Sequence, residues 1–182
     1  MNKKAMYWAG PRCFVASMRH FDSKVIEILE TNYLWIVYYP LRLVSNAIKK
    51  NKNKPIYGKE GMMRTTCFKY VDKCDVIVTY IGLIWDSGTA REVEHAIMQN
   101  KPILAWSDSS VIYGETAGRI EVINGRDTDR LFVKTLPFNA MDVAFDRYIE
   151  LSKLYDFDLS EKHLAREIDK QAREILNLRS HI

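Results

Sequence analysis

Apolar runs of strand length alternate with helical patterns along the first part of this chain. Four runs rich in β-branched and aromatic residues predict buried strands: AMYWA near Ala5, YLWIVYYP near Trp35, DVIVTYIGL near Val78 and PILAW near Leu104. Helical patterns lie between them in SMRHFDSKVIEILETN, in EGMMRTTCFKYVDKC and after Gly88. Strands that alternate with helices of this length form βαβ units. The sequence therefore predicts an α/β fold with a parallel sheet and helices on both faces.

The length favours one compact domain with a helical tail. A chain of 182 residues that is 47% hydrophobic can bury a substantial core but is short for two domains. We expect an α/β domain over residues 1–155 and a C-terminal helical extension over residues 156–182. The pattern SEKHLAREIDKQAREILNL needs a partner surface, on the same domain or on a second subunit, because it aligns four apolar residues on one stripe: Leu164, Ile168, Ala172 and Ile175.

Three further segments carry weaker patterns. The Lys/Asn-rich stretch from Pro40 to Lys59 shows little periodicity and is expected to form a mobile flap. GRIEVING is expected to form a short strand, and FNAMDVAFDRYIELSKL is expected to be helical.

Composition narrows the partners of the protein. The formal net charge of +4 comes from scattered Lys and Arg without a basic stripe among aromatic residues, which argues against nucleic-acid binding. The three cysteines, an odd number without CxxC spacing, predict reduced thiols rather than a disulfide framework or a zinc site. No apolar run has the length of a signal peptide or a membrane span, so we expect a cytoplasmic protein without a membrane partner.

The stretch DSGTAREVEHAI joins the third predicted strand to a helix and contains two carboxylates, Asp86 and Glu92. Ligands of open α/β sheets bind at the carboxyl ends of the strands, where this turn and the first loop, GPRCF, can converge. Two neighbouring acids can take different catalytic roles when one is ionised and acts as nucleophile or base while the other holds a proton and acts as donor. Gly88 would let the backbone approach a ligand closely. The turn is therefore a candidate catalytic site.

A structural interpretation of Glu92 competes with the catalytic one. Thr89 followed three residues later by Glu92 fits a capping box, in which the glutamate only satisfies a backbone amide at the helix start. The pattern of residues leaves both interpretations open.

The first loop offers several groups that could contact a ligand. Gly10 permits close approach, Tyr7 and Phe14 present aromatic faces, and Arg12 carries a charge. Taken singly, Tyr7 is better explained as a core residue, and Pro11 as an ordinary turn residue.

Three segments in order, MYWAGPRCF, DKCDVIVTYIG and DSGTAREVEHAIMQNKPILAW, resemble the nucleoside 2-deoxyribosyltransferase family. The resemblance covers about Lys4 to Trp106. It implies a flavodoxin-like parallel sheet of about five strands and cleavage of the N-glycosidic bond of a 2′-deoxynucleoside, with transfer of deoxyribose to another nucleobase. A small-molecule nucleoside or nucleotide is then the substrate, and no metal or organic cofactor is needed.

The resemblance also implies roles for individual residues. Glu92 matches the family's nucleophile and Asp86 matches the aspartate that contacts the nucleobase. Tyr7 and Gly10 match substrate contacts of the first loop. The neighbouring residues of the two turns are expected to complete the substrate site: Pro11, Arg12, Phe14 and Gly88.

The sequence departs from the family pattern at two places. Eight positions before the aspartate that opens the third strand, Asp75, the family usually has an acid, whereas this chain has Cys67 preceded by Thr66. A neutral thiol cannot protonate a leaving base as a carboxylic acid can, so the resemblance implies altered base recognition. The first loop is one residue longer and contains Arg12, a residue type that related hydrolases of nucleoside monophosphates use for the 5′-phosphate.

These departures leave two alternatives to the transferase. One is a deoxynucleoside 5′-monophosphate N-glycosidase that transfers the sugar to water. The other is a non-catalytic nucleotide-binding sensor of the same fold, which Cys67 favours and the intact turn from Asp86 to Glu92 opposes. In this family a neighbouring subunit often completes the pocket, so we expect a homo-oligomer in which Asn124 or Asn139 is a candidate contribution.

Other enzyme classes fit less well. The turn IWDSGTARE lacks the Pro-Gly-Gly-x-Gly-Thr line of cytokinin-activating phosphoribohydrolases, and no G-x-G-x-x-G follows the first strand as in a dinucleotide site. Cys67 has no paired His for thiol catalysis, which favours a buried structural cysteine. The four histidines show no metal-ligand spacing.

Overall fold

Five strands form one parallel sheet in the computed structural model, which describes residues 3–10, 16–50, 56–81, 87–108, 111–112, 118–124, 131–136, 143–151 and 160–179. The strands are β1 (Ala5–Ala9), β2 (Ile36–Tyr38), β3 (Val76–Tyr80), β4 (Ile103–Ser107) and β9 (Arg147–Glu150). Their order in the sheet is β2-β1-β3-β4-β9, and every neighbouring pair is parallel. This is the flavodoxin-like order, so the predicted fold class is confirmed.

A second, antiparallel sheet is inserted between β4 and β9. Its strands follow the chain in the order β5-β6-β7-β8: Val111–Ile112, Gly118–Asn124, Leu131–Leu136 and Val143–Phe145. The helix predicted for FNAMDVAFDRYIELSKL is wrong over its described part, residues 143–151, which contain β8 and β9. The parallel pairing of β9 with β4 overrides the helical pattern there and buries Ile149 against the sheet core.

Five helices lie in the described parts of the chain: α1 (Ala16–Thr31), α2 (Pro40–Lys50), α3 (Ile56–Lys73), α4 (Ser87–Met98) and α5 (Ser160–Arg179). The flap predicted for residues 40–59 is wrong where α2 and the start of α3 occupy it. Pro40 suits a first helical turn because it lacks the amide hydrogen that this turn leaves unpaired. None of the described helices is long and apolar enough to cross a membrane.

The parallel sheet separates two apolar cores. Side chains alternate along a strand, so β1 sends Met6 and Trp8 to one face and Ala5, Tyr7 and Ala9 to the other. Helices α1 and α5 cover the first face, whereas α3 and α4 cover the second. Every residue of β1, β3 and β4 is buried, which is typical of a parallel sheet between two helical layers.

Helix α5 packs on the sheet through its apolar stripe. The buried residues are the four of the predicted stripe and Ala165. A polar contact fixes the helix beside β2, because Asp169 Oδ1 accepts hydrogen bonds from Trp35 Nε1 and Arg173 Nε, each at 2.7 Å. Arg173 also donates to the Tyr33 carbonyl at 2.9 Å. The C-terminal helix is therefore joined to this chain's own core.

The residues Asn100 and Lys101 organise the turn from α4 into β4. Asn100 has a positive φ of 51°, the conformation that commonly ends a helix. Lys101 Nζ donates to the carbonyls of Asp72 and Cys74, at 2.9 and 2.7 Å, at the end of α3. The NKPIL motif thus ends α4 and ties the start of β4 to the end of α3.

Two aspartates join neighbouring strands at their amino ends. Asp75 Oδ2 accepts the Ala5 amide at 2.6 Å, while the Asp75 amide donates to the Ala5 carbonyl at 2.8 Å. Asp146 forms the same two hydrogen bonds with Ile103. Its Oδ2 accepts the Ile103 amide and its amide donates to the Ile103 carbonyl, each at 2.7 Å. The aspartate that opens the third strand therefore fixes the register of β1 against β3.

Removing the Asp75 carboxylate should destabilise the fold. We expect Asp75→Ala to lower the free energy of unfolding by about 1–2 kcal/mol, because the buried Ala5 amide loses its acceptor. Asp75→Asn keeps an acceptor oxygen and should cost less. Urea unfolding measures both, with Asp72→Ala as a control because exposed ion pairs such as Asp72–His95 contribute at most about 1 kcal/mol. An Asp75→Ala protein as stable as the control would contradict this role.

Candidate active site

The candidate site lies at the point of the sheet where successive strands change from one side of β1 to the other. After β1 the chain adds β2 on one side, and β3 then pairs on the other side of β1. Ala9 pairs with Thr79, so both strands end at the same edge and their following loops start side by side. Open α/β sheets bind ligands in the crevice formed at this kind of crossing point.

Tyr7 and Glu92 meet at this crossing point. Tyr7 lies on β1 and is fully buried, while Glu92 is half-buried on α4. The Tyr7 phenol donates a hydrogen bond of 2.7 Å to Glu92 Oε1 across 85 positions of sequence. Hydrogen bonds between a neutral donor and a carboxylate are short and strong, so this contact holds the carboxylate in one orientation.

Packing of α4 positions the glutamate. Thr89, Val93 and Ala96 are buried and recur at helical spacing, so they form the face of α4 that packs on the sheet. Glu92 lies beside that face. The helix begins at Ser87, which makes Thr89 its third residue rather than its N-cap. The capping-box interpretation therefore does not match the observed helix start.

A third side chain, Cys67 of α3, lies in the same apolar cluster as Tyr7 and is buried there. Burial raises the pKa of the Tyr7 phenol above its ordinary value of 10.0, and the neighbouring Glu92 and Cys67 raise that pKa further. Tyr7 is therefore a proton donor to Glu92 throughout the physiological range.

Gly10 has a structural reason to be glycine. Its φ of 152° is rarely adopted by residues with a side chain. A Cβ on Gly10 would also lie 3.1 Å from the Cβ of Tyr80, which is closer than ordinary side-chain contacts. The close approach seen here is therefore to the end of β3, at the edge where the first loop starts.

The structure describes only part of the predicted site. Gly88 lies exposed in the first turn of α4. Asn124 is the last residue of β6, but its side chain is outside the described part of the structure. The remaining predicted residues lie outside the described residues: Asp86, Pro11, Arg12, Phe14 and Asn139.

No metal centre is visible in the residues that the structure describes, which contain no cluster of three or more His, Cys, Asp or Glu able to hold an ion. Cys67 and Cys74 are buried and form no disulfide bond among the described residues. His95 lies at the surface, where it pairs with Asp72 at 2.7 Å and stacks on Phe68. The described chemistry of the site is therefore that of a carboxylate, a phenol and a thiol.

Sequence reasoning did not predict that Cys67 and Tyr7 pack in the same cluster. It assigned Cys67 to the core, and the cysteine does pack in the apolar cluster between the sheet and helices α3 and α4. Tyr7 belongs to the same cluster. Side chains alternate between the two faces of β1, and this alternation places Tyr7 on the face that α3 covers. The sequence could therefore have indicated that the Tyr7 hydroxyl lies in that cluster.

One family model, described as nucleoside 2-deoxyribosyltransferase, matches residues 6–146 of the chain. A search of curated protein sequences found no match.

Similar solved structures include two 2-deoxyribosyltransferases and one N-glycosidase. The Clostridium botulinum CMP N-glycosidase BcmB is 16% identical with a TM-score of 0.50, over 91% of this chain and 99% of that chain. The enzyme from Bacillus psychrosaccharolyticus is 20% identical with a TM-score of 0.49, over 60% and 77% of the two chains. The enzyme from Leishmania mexicana is 17% identical with a TM-score of 0.45, over 90% and 97%. Identities this low show a likeness of fold alone. Of the three structures, only BcmB has a TM-score high enough to support that likeness.

The raised pKa of Tyr7 predicts a specific loss of stability in alkali. Above pH 10 the unfolded chain releases the Tyr7 proton while the folded chain retains it, so unfolding becomes more favourable as the pH rises. Relative to Tyr7→Phe, the wild-type free energy of unfolding should fall by about 1.4 kcal/mol per pH unit above about pH 10.5. Denaturant unfolding at several alkaline pH values measures the difference, and parallel curves for the two proteins would contradict it.

Proposed function

Since this chain belongs to the nucleoside 2-deoxyribosyltransferase family, whose members are glycosyltransferases or N-glycosidases, we propose that it cleaves the N-glycosidic bond of a 2′-deoxynucleoside with Glu92 as nucleophile. The observation that carries this proposal is the 2.7 Å contact between Tyr7 and Glu92 at the crossing point of the sheet. It holds a carboxylate where ligands of this fold class bind.

In the first step, an oxygen of the Glu92 carboxylate attacks the anomeric carbon of the sugar. The bond from this carbon to the base nitrogen breaks, and its electron pair leaves with the base. A glycosyl ester of Glu92 forms through a transition state with oxocarbenium character. We propose Asp86 as the group that contacts the base and supplies the proton that makes it a better leaving group.

In the second step, the ester reacts with an acceptor. A nitrogen lone pair of another nucleobase attacks the anomeric carbon, the bond to Glu92 breaks, and the carboxylate is regenerated. The acceptor then loses its nitrogen proton to the Asp86 carboxylate, which restores the acid used in the first step. If water takes the place of the base, the product is free deoxyribose and the enzyme is a hydrolase.

Tyr7 supports both steps without exchanging a proton with the substrate. Its raised pKa excludes a role as a base near neutral pH. Its hydrogen bond fixes the orientation of the carboxylate before the substrate arrives, and such preorganisation reduces the reorganisation needed during reaction.

The proposed substrate site continues into the first loop. We assign contacts with the sugar or its 5′ substituent to Gly88 and to four residues of this loop: Gly10, Pro11, Arg12 and Phe14. Arg12 specifically favours a second candidate function, the hydrolysis of a deoxynucleoside 5′-monophosphate, because guanidinium groups bind phosphate through two parallel hydrogen bonds.

Product analysis distinguishes the candidates. The protein is mixed with a deoxynucleoside or its 5′-monophosphate, with and without a free acceptor base, and the products are separated by chromatography. Exchange of the base supports the transferase, and release of free sugar or sugar phosphate supports the hydrolase. Measurable binding of a substrate without either product would overturn the catalytic proposal in favour of a sensor.

Replacement of the nucleophile gives the sharpest kinetic prediction. Glu92→Gln keeps the shape of the side chain and an oxygen that can accept from Tyr7, but it removes the attacking carboxylate. Turnover should therefore fall by at least about three orders of magnitude, with an unchanged melting temperature. Glu94→Gln, the same substitution at an exposed position of α4, is the control and should stay active. An active Glu92→Gln enzyme would leave Glu92 with a structural role alone.

A further inference from the structure

The hydroxyl of Thr79 is buried at the crossing point of the sheet without a hydrogen-bond partner. Thr79 lies near the end of β3 and is 0% exposed, and its Oγ1 has no partner among the residues that the structure describes. By contrast, the hydroxyls of Thr31 and Thr65 each donate to a carbonyl one turn earlier in their helices, at 2.8 Å. Buried polar groups are nearly always paired, so an unpaired one requires an explanation.

The neighbours of Thr79 in the sheet offer it no polar group. Thr79 pairs with Ala9 of β1 on one side and with Ala105 of β4 on the other, and both alanines are fully buried. A strand favours a β-branched residue at this position, but a valine has the same shape and would fill the space without an unpaired hydroxyl. Packing alone therefore does not explain a threonine here.

The Thr79 side chain points to the face of the sheet that carries the candidate nucleophile. The residues on either side of it in β3, Val78 and Tyr80, pack in the apolar cluster that α1 and α5 cover. Because side chains alternate along a strand, Thr79 points to the opposite face, where Tyr7 contacts Glu92. It lies two residues beyond the partner of Tyr7 in β3, and so nearer the edge at which ligands of this fold class bind.

We propose that the Thr79 hydroxyl binds the 3′-hydroxyl of the deoxyribose. This inference rests on the proposed function, because it assigns a ligand group within the same site. A threonine hydroxyl both donates and accepts, so it can pair with another hydroxyl in either sense. Deoxyribose has no hydroxyl at C2′, and its 5′-hydroxyl is esterified in a 5′-monophosphate. The 3′-hydroxyl is therefore the one that both candidate substrates present.

Thr79 is closed to bulk water in the structure, so the contact requires that side chains covering it move when the substrate binds. Changes of side-chain rotamer are common on binding. Both neighbours of Thr79 in the sheet have small side chains, and one hydroxyl of a sugar needs less space there than a base or a phosphate. Binding then pairs a hydroxyl that water does not satisfy, so the contact should affect affinity more than a contact with an exposed hydroxyl.

Thr79→Val tests the premise in the free protein. Valine keeps the shape of the side chain and removes an unpaired hydroxyl, so the melting temperature should stay the same or rise by up to about 4 °C. Thr79→Ser keeps the hydroxyl but loses a buried methyl group, and it should be the less stable of the two variants. A melting temperature of Thr79→Val clearly below that of the wild type would show that the hydroxyl has a partner in the free protein, and would overturn the proposal.

The contact itself is measured with substrates that have or lack the 3′-hydroxyl. kcat/KM is determined for the common 2′-deoxynucleosides, their 5′-monophosphates and the 2′,3′-dideoxy counterparts of both. We expect Thr79→Val to lower kcat/KM about tenfold or more for the substrate with the 3′-hydroxyl and to change it little for the dideoxy counterpart. Thr79→Ser should keep most of the wild-type preference. Equal effects of Thr79→Val on both substrates would overturn the proposal.

Binding measurements separate this inference from the proposed function. Glu92→Gln removes the attacking carboxylate, so the Kd of each ligand can be measured by calorimetry in Glu92→Gln and in the double variant Glu92→Gln/Thr79→Val. If the wild type forms no product but the double variant loses the preference for the 3′-hydroxyl, the catalytic proposal fails and the Thr79 contact stands. If the wild type is active but both variants bind the two ligands with the same preference, the Thr79 contact alone is overturned. Absence of binding of every ligand to every protein would overturn both.

Discussion

The hydrogen bond from Tyr7 to Glu92 is the contact around which the candidate site is arranged, because it joins the buried strand β1 to α4, the helix that follows the adjacent strand β3. The positions of both side chains are fixed by the elements that carry them. Tyr7 is fixed by a strand that is buried on both faces, and α4 is fixed by the packing of Val93 and Ala96 on the sheet. The orientation of one carboxylate therefore depends on the whole α3–α4 side of the core.

Several motif residues of the chain have a structural role in this frame. Asp75 fixes the register of β1 against β3, and Lys101 ties the end of α3 to the start of β4. Gly10 accommodates Tyr80. A match to a family pattern therefore mixes residues of two kinds, and only their contacts separate them. Among the described residues, Glu92 contacts a polar group that a structural role for the helix start does not require.

The strands and the neighbouring helices of the parallel sheet could be predicted because periodicity there agrees with packing. The observed β1 matches AMYWA, and α1, α3 and α4 fall on the expected patterns. Prediction failed for β9, which is a strand because β4 lies beside it. It also missed α2, although Leu41, Val44 and Ile48 in PLRLVSNAIKK recur at helical spacing, because the Lys and Asn residues that follow conceal this pattern. The pairing of Glu92 with Tyr7 could be suspected from the sheet edge, whereas the approach of Cys67 depends on the packing of α3, which no local pattern encodes.

The claim that Glu92 is a nucleophile is tested most directly by the intermediate itself. The wild-type protein is exposed briefly to a deoxynucleoside without an acceptor base, quenched in acid, and analysed by intact-protein mass spectrometry followed by peptide mapping. We expect a mass increase of one deoxyribosyl unit on the peptide that contains Glu92. Turnover without any adduct, or an adduct on a different residue, would contradict it.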